Sequence, residues 1–149
     1  MQVAAILLLL ALALATPSSS AEQTCVLTGL WFNDLGSNMT INSVNKAGEF
    51  SGTYHTAVKA TSNEIKISPL QGSQHRENNS NQPTFGFTVN WSFSDATSVF
   101  VGQCFVDKHG EEILKTVWLL REQVGSLGDD WEATRVGVNV FTRQPVRRE

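Results

Sequence analysis

Thr84-Phe-Gly-Phe-Thr-Val-Asn-Trp-Ser-Phe93 sets Phe85, Phe87, Val89, Trp91 and Phe93 at every second position, with small or polar residues between. Successive side chains leave a strand on opposite sides, so this spacing predicts a β-strand with one face buried. The same pattern runs outward in both directions. Strands are expected over 28–33, 38–44, 49–56 and 64–71 before this stretch, and over 96–106, 113–122 and about 131–142 after it. No window carries the spacing of an amphipathic helix. The connections at 34–37, 45–48, 57–63, 72–83, 94–95, 107–110 and 125–130 mostly contain Gly, Asn or Asp, which close tight turns. Eight strands with short connections predict an all-β fold: an eight-stranded antiparallel up-and-down β-barrel, since closure removes exposed sheet edges. Such a barrel has room for side chains or one small ligand.

The chain has 149 residues and a net charge of −3, with 11 Lys and Arg against 14 Asp and Glu. That length suits one domain over 21–149 and excludes a two-domain enzyme, a solenoid or a multi-span membrane protein. Ile6 to Ala15 is an unbroken apolar run, too short for the roughly 20 residues of a membrane span. Small residues follow it at Ser18, Ser19, Ser20 and Ala21, so residues 1–20 read as a signal peptide cut after Ser20 or after Ala21. The expected location is extracellular, with no membrane attachment. Cys25 and Cys104 would then most simply form one disulfide, worth up to roughly 4–5 kcal/mol through chain entropy. Asn38 and Asn78 open Asn-x-Ser/Thr sequons and are expected to carry glycans. Asn90 opens a third, but it sits in the strand pattern beside Trp91 and is not counted. Lys and Arg are scattered except for Arg143, Arg147 and Arg148, so no nucleic-acid partner is expected.

Strand parity separates two faces. One face of 113–122 carries Thr116, Trp118 and Leu120, and one face of 131–142 carries Arg135, Gly137, Asn139 and Phe141. The opposite faces hold Val117, Leu119, Val136, Val138 and Val140, where a solvated outer face would be polar. A partner subunit is expected to cover these last two strands, most simply in a symmetric homo-oligomer. On the inner side Trp91, Phe93, Phe100 and Trp118 share faces or adjoining loops with Asn33, Ser37, Tyr54, Thr56, Ser98 and Asn139. Burying those polar groups unpaired would cost roughly 1–3 kcal/mol each. They make sense if a small ligand with a polar head enters between aromatic walls.

Cys25-Val-Leu-Thr-Gly-Leu-Trp31, Asn33-Asp-Leu-Gly-Ser-Asn-Met-Thr40, Gly52-Thr-Tyr54, the 83–91 segment, Gly102-Gln-Cys104, Leu114-Lys-Thr-Val-Trp-Leu-Leu-Arg121 and Asp130-Trp-Glu-Ala-Thr-Arg135 together resemble the avidin family of biotin-binding proteins. The resemblance runs in order from Cys25 to Arg143. It implies an eight-stranded barrel, a homotetramer, and one biotin in each barrel mouth. Biotin is then a ligand and not a cofactor, and no metal or enzymatic activity is implied.

By this resemblance Asn33, Ser37 and Tyr54 would hold the ureido oxygen, as converging donors hold an oxyanion. Thr56 and Asn139 would accept from the ureido nitrogens, and Ser98 would meet the ring sulfur. The implied walls are Trp91, Phe93, Phe100, Trp118 and Leu120, with Leu35 and Val58 beside them. The implied partners of the ligand carboxylate are the amides near Ala60 and Thr61 and the side chain of Ser94. Trp131 would reach across an interface to cap a neighbour's ligand; by parity alone it would be a rim residue of its own barrel. Two positions depart from the family: Lys59 and Ala96 stand where avidin has Thr and Ser. Lys59 either pairs with the carboxylate or points to water. Trp31 with Arg143 reads as a structural pair at the closed end of the barrel, a pattern shared with lipocalins. A lipocalin-type carrier would want an apolar interior, which the buried polar set opposes. For an enzyme, no Gly-x-Ser-x-Gly, paired-His or inward carboxylate pattern is present.

Overall fold

The computed structural model describes residues 22–58, 62, 64, 66–76 and 80–145. The expected signal peptide and positions Lys59, Ala60, Thr61 and Asn78 lie outside the described residues. Eight strands form one closed barrel in chain order: β1 (Gly29–Asn33), β2 (Asn38–Ile41), β3 (Glu49–His55), β4 (Ser68–Gln74), β5 (Thr84–Asn90), β6 (Thr97–Val106), β7 (Glu112–Arg121) and β8 (Thr134–Thr142). Each pairs antiparallel with the next. β8 returns to β1, where Phe32 faces Thr142 and Asn33 faces Phe141. That seam is short, whereas β6 and β7 pair along their full lengths.

Four expected boundaries move. β2 ends at Ile41 and not at 44, because its pairing with β1 stops where Gly29 faces Ile41. β4 begins at Ser68 and runs to Gln74, because residues 70–73 pair with both β3 and β5, Gln74 pairs with Phe85 of β5, and the ladder outweighs a loop-like composition. β5 stops at Asn90: the Ser94 amide donates to the Trp91 carbonyl and the Ser92 amide to Ser68 Oγ, so the chain turns sharply there. β8 begins at Thr134, because residues Leu127–Glu132 form a short 3-10 helix. Parity along β8 therefore does not extend back to Trp131.

The closed end is packed shut. Trp31 is fully buried, its Nε1 donates to the Leu27 carbonyl at 2.7 Å, and the Arg143 guanidinium lies 3.7 Å from its ring centroid. Glu112 accepts from Arg143 Nε at 2.8 Å and from the Val26 amide at 2.6 Å, which ties both ends of the barrel chain to β7. Gly29, with φ of +120°, leaves room for this pair: a Cβ there would sit 2.8 Å from the guanidinium. Cys25 and Cys104 are bridged, with Cα atoms 5.8 Å apart and 79 residues of separation. Phe50, Phe85, Phe87, Phe100, Leu114 and Phe141 fill the middle.

Outside, six apolar side chains form two rungs across three strands: Val99, Leu119 and Val136, then Val101, Val117 and Val138. All six are exposed in the single chain, Val136 and Val138 by 69% each. The patch therefore begins one strand earlier than expected, on β6, while Val140 is half-buried. Among the described residues, no helix is long and apolar enough to cross a membrane.

Candidate functional site

The open end of the barrel holds a cavity of about 230 Å³ lined by Asn33, Leu35, Ser37, Tyr54, Thr56, Val58, Trp91, Ser98, Phe100, Trp118, Leu120, Arg135 and Asn139. A vestibule of about 250 Å³ adjoins it, sharing Thr56, Val58, Trp91 and Leu120 and adding Phe93, Ser94, Asp95, Ala96, Glu122 and Gln123. The geometry thus gathers every described inner-site residue expected from the sequence, with Trp131 as the exception. Trp131 lies on the 3-10 helix, 81% exposed, and lines neither chamber of its own barrel. The parity reading that made it a rim residue is corrected. Asn38 opens β2, half-buried, with Thr40 of its sequon exposed.

Hydrogen-bond accounting shows what each polar side chain has left to offer. Asn33 opens a tight 33–37 turn, and its Oδ1 accepts from the amides of Leu35 at 3.0 Å and Ser37 at 2.8 Å. That turns its Nδ2 inward, 3.3 Å from the Tyr54 hydroxyl. Ser37 Oγ accepts from the Ala57 amide at 2.9 Å, which frees its proton to be donated. Burial pushes the Tyr54 phenol well above its ordinary range, with Asp34's charge adding to this and hydrogen bonds from Ser37 and Asn33 opposing it. The phenol stays protonated; its oxygen accepts from Asn33 Nδ2, its own proton turns to the cavity, and Ser37 can give its one proton either to that oxygen or to a ligand. Asn33, Ser37 and Tyr54 therefore present converging donors.

Two neighbours present acceptors instead. Thr56 Oγ1 gives its proton to the Val58 carbonyl at 2.6 Å and accepts from the Val58 amide at 3.1 Å, leaving one lone pair. Asn139 Nδ2 donates to Asp34 Oδ1 at 3.0 Å, leaving the amide carbonyl for the cavity. Ser98 Oγ accepts from Trp91 Nε1 at 2.8 Å, so this hydroxyl also keeps its proton for a ligand.

The walls are aromatic and mutually fixed. Tyr54 stacks with Phe100 at 5.6 Å and meets Trp91 edge-on at 5.3 Å, and Trp91 lies 5.7 Å from Phe93. Trp118 faces Gly137 across β7 and β8, lying over a position where a Cβ would be 2.2 Å from its ring. Arg135 pairs with Glu122 at the rim, both side chains substantially solvated, so the pair contributes little to stability. Among the described residues, no cluster of His, Cys, Asp or Glu could hold a metal ion.

Sequence reading missed Asp34, Arg135 and the vestibule carboxylates Asp95 and Glu122. Parity did place Arg135 on the inner face. Asp34 looked like an ordinary turn residue, and nothing local ties it to Asn139, which is 105 residues away.

The avidin family model matches residues 21–144. Avidin from Gallus gallus is 64% identical over 144 residues, covering 97% of this chain and 94% of that protein. The solved structure of Xenavidin superposes with a TM-score of 0.78 at 53% identity, covering 82% of this chain and all of that one. A biotin-binding protein from chicken matches with a TM-score of 0.78 at 60% identity, over 81% of this chain and 98% of that one. Family model, sequence and barrel agree along nearly the whole domain, and the chain belongs to the avidin family.

Proposed function

We propose that this protein binds biotin non-covalently, one molecule in the mouth of each barrel, as a secreted homotetramer that performs no catalysis. The observation that carries this reading is the donor and acceptor arrangement. Three donors meet at one end of the cavity and two acceptors flank them. A group with one acceptor oxygen between two N–H donors satisfies all five, and a cyclic urea is that group. Converging donors also draw negative charge onto the urea oxygen, which strengthens every bond in a dry cavity. The bicyclic ring fits between Trp91, Phe100, Trp118 and Leu120, and the Ser98 proton meets the ring sulfur. The ligand tail runs through the vestibule past Phe93, and its carboxylate is met by Ser94 and by the amides near Ala60 and Thr61. The names of chicken avidin and the chicken biotin-binding protein support the same ligand.

The exposed valines of β6–β8 support assembly, since monomers rarely expose an apolar patch of this extent. Trp131, standing in solvent on its own chain, is then available to cap a neighbour's ligand. The apolar leader at 6–15 supports secretion. Calorimetric titration of the purified protein with biotin tests the reading: one site per chain is expected, and no heat of binding together with no thermal shift at saturating biotin overturns it.

A further inference from the structure

Asn33 and Asn139 line one cavity with their amides turned opposite ways. The difference has a visible cause. Asn33 is held by the amides of Leu35 and Ser37, donors that engage its carbonyl and send its NH₂ inward. Asn139 is held by Asp34, whose carboxylate can only accept. Asp34 is itself fixed to β8 by two further bonds: its amide donates to the Val140 carbonyl at 3.1 Å, and its Oδ1 accepts from the Val140 amide at 3.3 Å.

We propose that Asp34 is a positioning residue that makes Asn139 an acceptor, and so makes this wall of the cavity select a ligand N–H. An asparagine amide is nearly symmetric in shape, and rotation by half a turn exchanges C=O for NH₂. Packing alone discriminates poorly between the two. With Asp34 present, the reversed amide would set a carbonyl against a carboxylate and aim NH₂ at a ligand N–H, which leaves two unsatisfied pairs instead of two bonds. Asp34 touches no ligand. It acts by removing the wrong orientation before the ligand arrives, which lowers the ordering cost of binding. This rests on the reading of a ureido ligand, and the experiment separates the two.

The test uses the full-length secreted protein as wild type, Asp34→Ala and Asp34→Asn. The ligands are biotin and the two biotins methylated on one or the other ureido nitrogen. Wild type is titrated with biotin first; absence of binding there overturns the ureido reading and not the positioning step. If wild type binds, the preference for biotin over the isomer methylated toward Asn139 should shrink roughly tenfold in Asp34→Ala, because the lost N–H bond no longer counts. Asp34→Asn should restore it, since the introduced amide carbonyl accepts from Asn139 as the carboxylate does. An unchanged preference in Asp34→Ala overturns the proposal. So does an equal weakening toward all three ligands in both variants, which would mark Asp34 as support for the fold alone.

Discussion

Trp118 on β7 and Gly137 on β8 are direct cross-strand partners, and the indole occupies the space where any other residue at 137 would place its Cβ, 2.2 Å from Cζ2. One tryptophan wall of the cavity is thus positioned by the absence of a side chain on the neighbouring strand.

Gly137→Ala should therefore disturb the site more than its size suggests. Relieving strand-interior glycine gains at most about 1 kcal/mol, whereas forcing a methyl against a rigid ring costs roughly 1–3 kcal/mol. Lower thermal stability and at least tenfold weaker biotin binding are expected by scanning calorimetry and competition titration. Unchanged affinity would show that the indole has another place to go.

Tyr54 is the single tyrosine of the chain, so absorbance at 295 nm follows it alone. Its phenol is held above the ordinary value of 10.0, chiefly by burial. From neutral pH to about 10 the group is protonated both folded and unfolded, and stability should not depend on it. Above that, the unfolded chain loses the proton first, so stability falls until the folded phenol also ionises. A titration midpoint near 10 in the native protein would contradict the buried donor.

Ser98 both receives the Trp91 indole N–H and faces the cavity. Ser98→Ala orphans that N–H at a cost of about 1–3 kcal/mol, which falls on every ligand equally. The contact with the ring sulfur is separate. Wild type should prefer biotin over desthiobiotin, and the variant should narrow the preference severalfold. An equal ratio in both proteins would limit Ser98 to holding Trp91.

Val136 and Val138 lie on separate rungs of the outer apolar patch. If these valines meet a second copy as proposed, replacing both with Arg sets charge into a contact that offers it no partner, a penalty of several kcal/mol. Light scattering should report an assembly smaller than the tetramer. A tetramer of full mass would mean that these valines face something other than a copy of the chain.

Trp131→Lys should weaken biotin binding and loosen the tetramer together, with biotin no longer strengthening assembly. Reciprocal coupling requires both effects if the indole completes a neighbour's site. Loss of affinity with full biotin-linked assembly would contradict the cross-subunit role.

Much of this was legible in the chain. The alternation in 84–93 and its counterparts marks eight strands in order, because a half-buried strand writes its two faces directly into the sequence. The inner polar set followed from that parity together with the loops adjoining the same faces. The misread segments are those where tertiary contacts overrule composition: residues 72 and 73 look like loop but pair on both sides, 42–44 look like strand but lie past the end of β2, and 131–133 look like strand but belong to a 3-10 helix and its cap. Trp131 inherited a face from that misreading. Asp34 was invisible for another reason. Its partner is fixed by barrel closure, which brings the first strand beside the last and leaves no local pattern.

That closure has a mechanical consequence. The β1–β8 seam is short, and the site straddles it: Asn33 and Asp34 stand on one lip, Asn139 and Val140 on the other. A ligand bound as proposed, to Asn33 and Asn139 together, would act as a rivet across the shortest joint of the cylinder. Occupancy of the mouth would then register as stiffness of that joint, in slower amide exchange along β1 and β8.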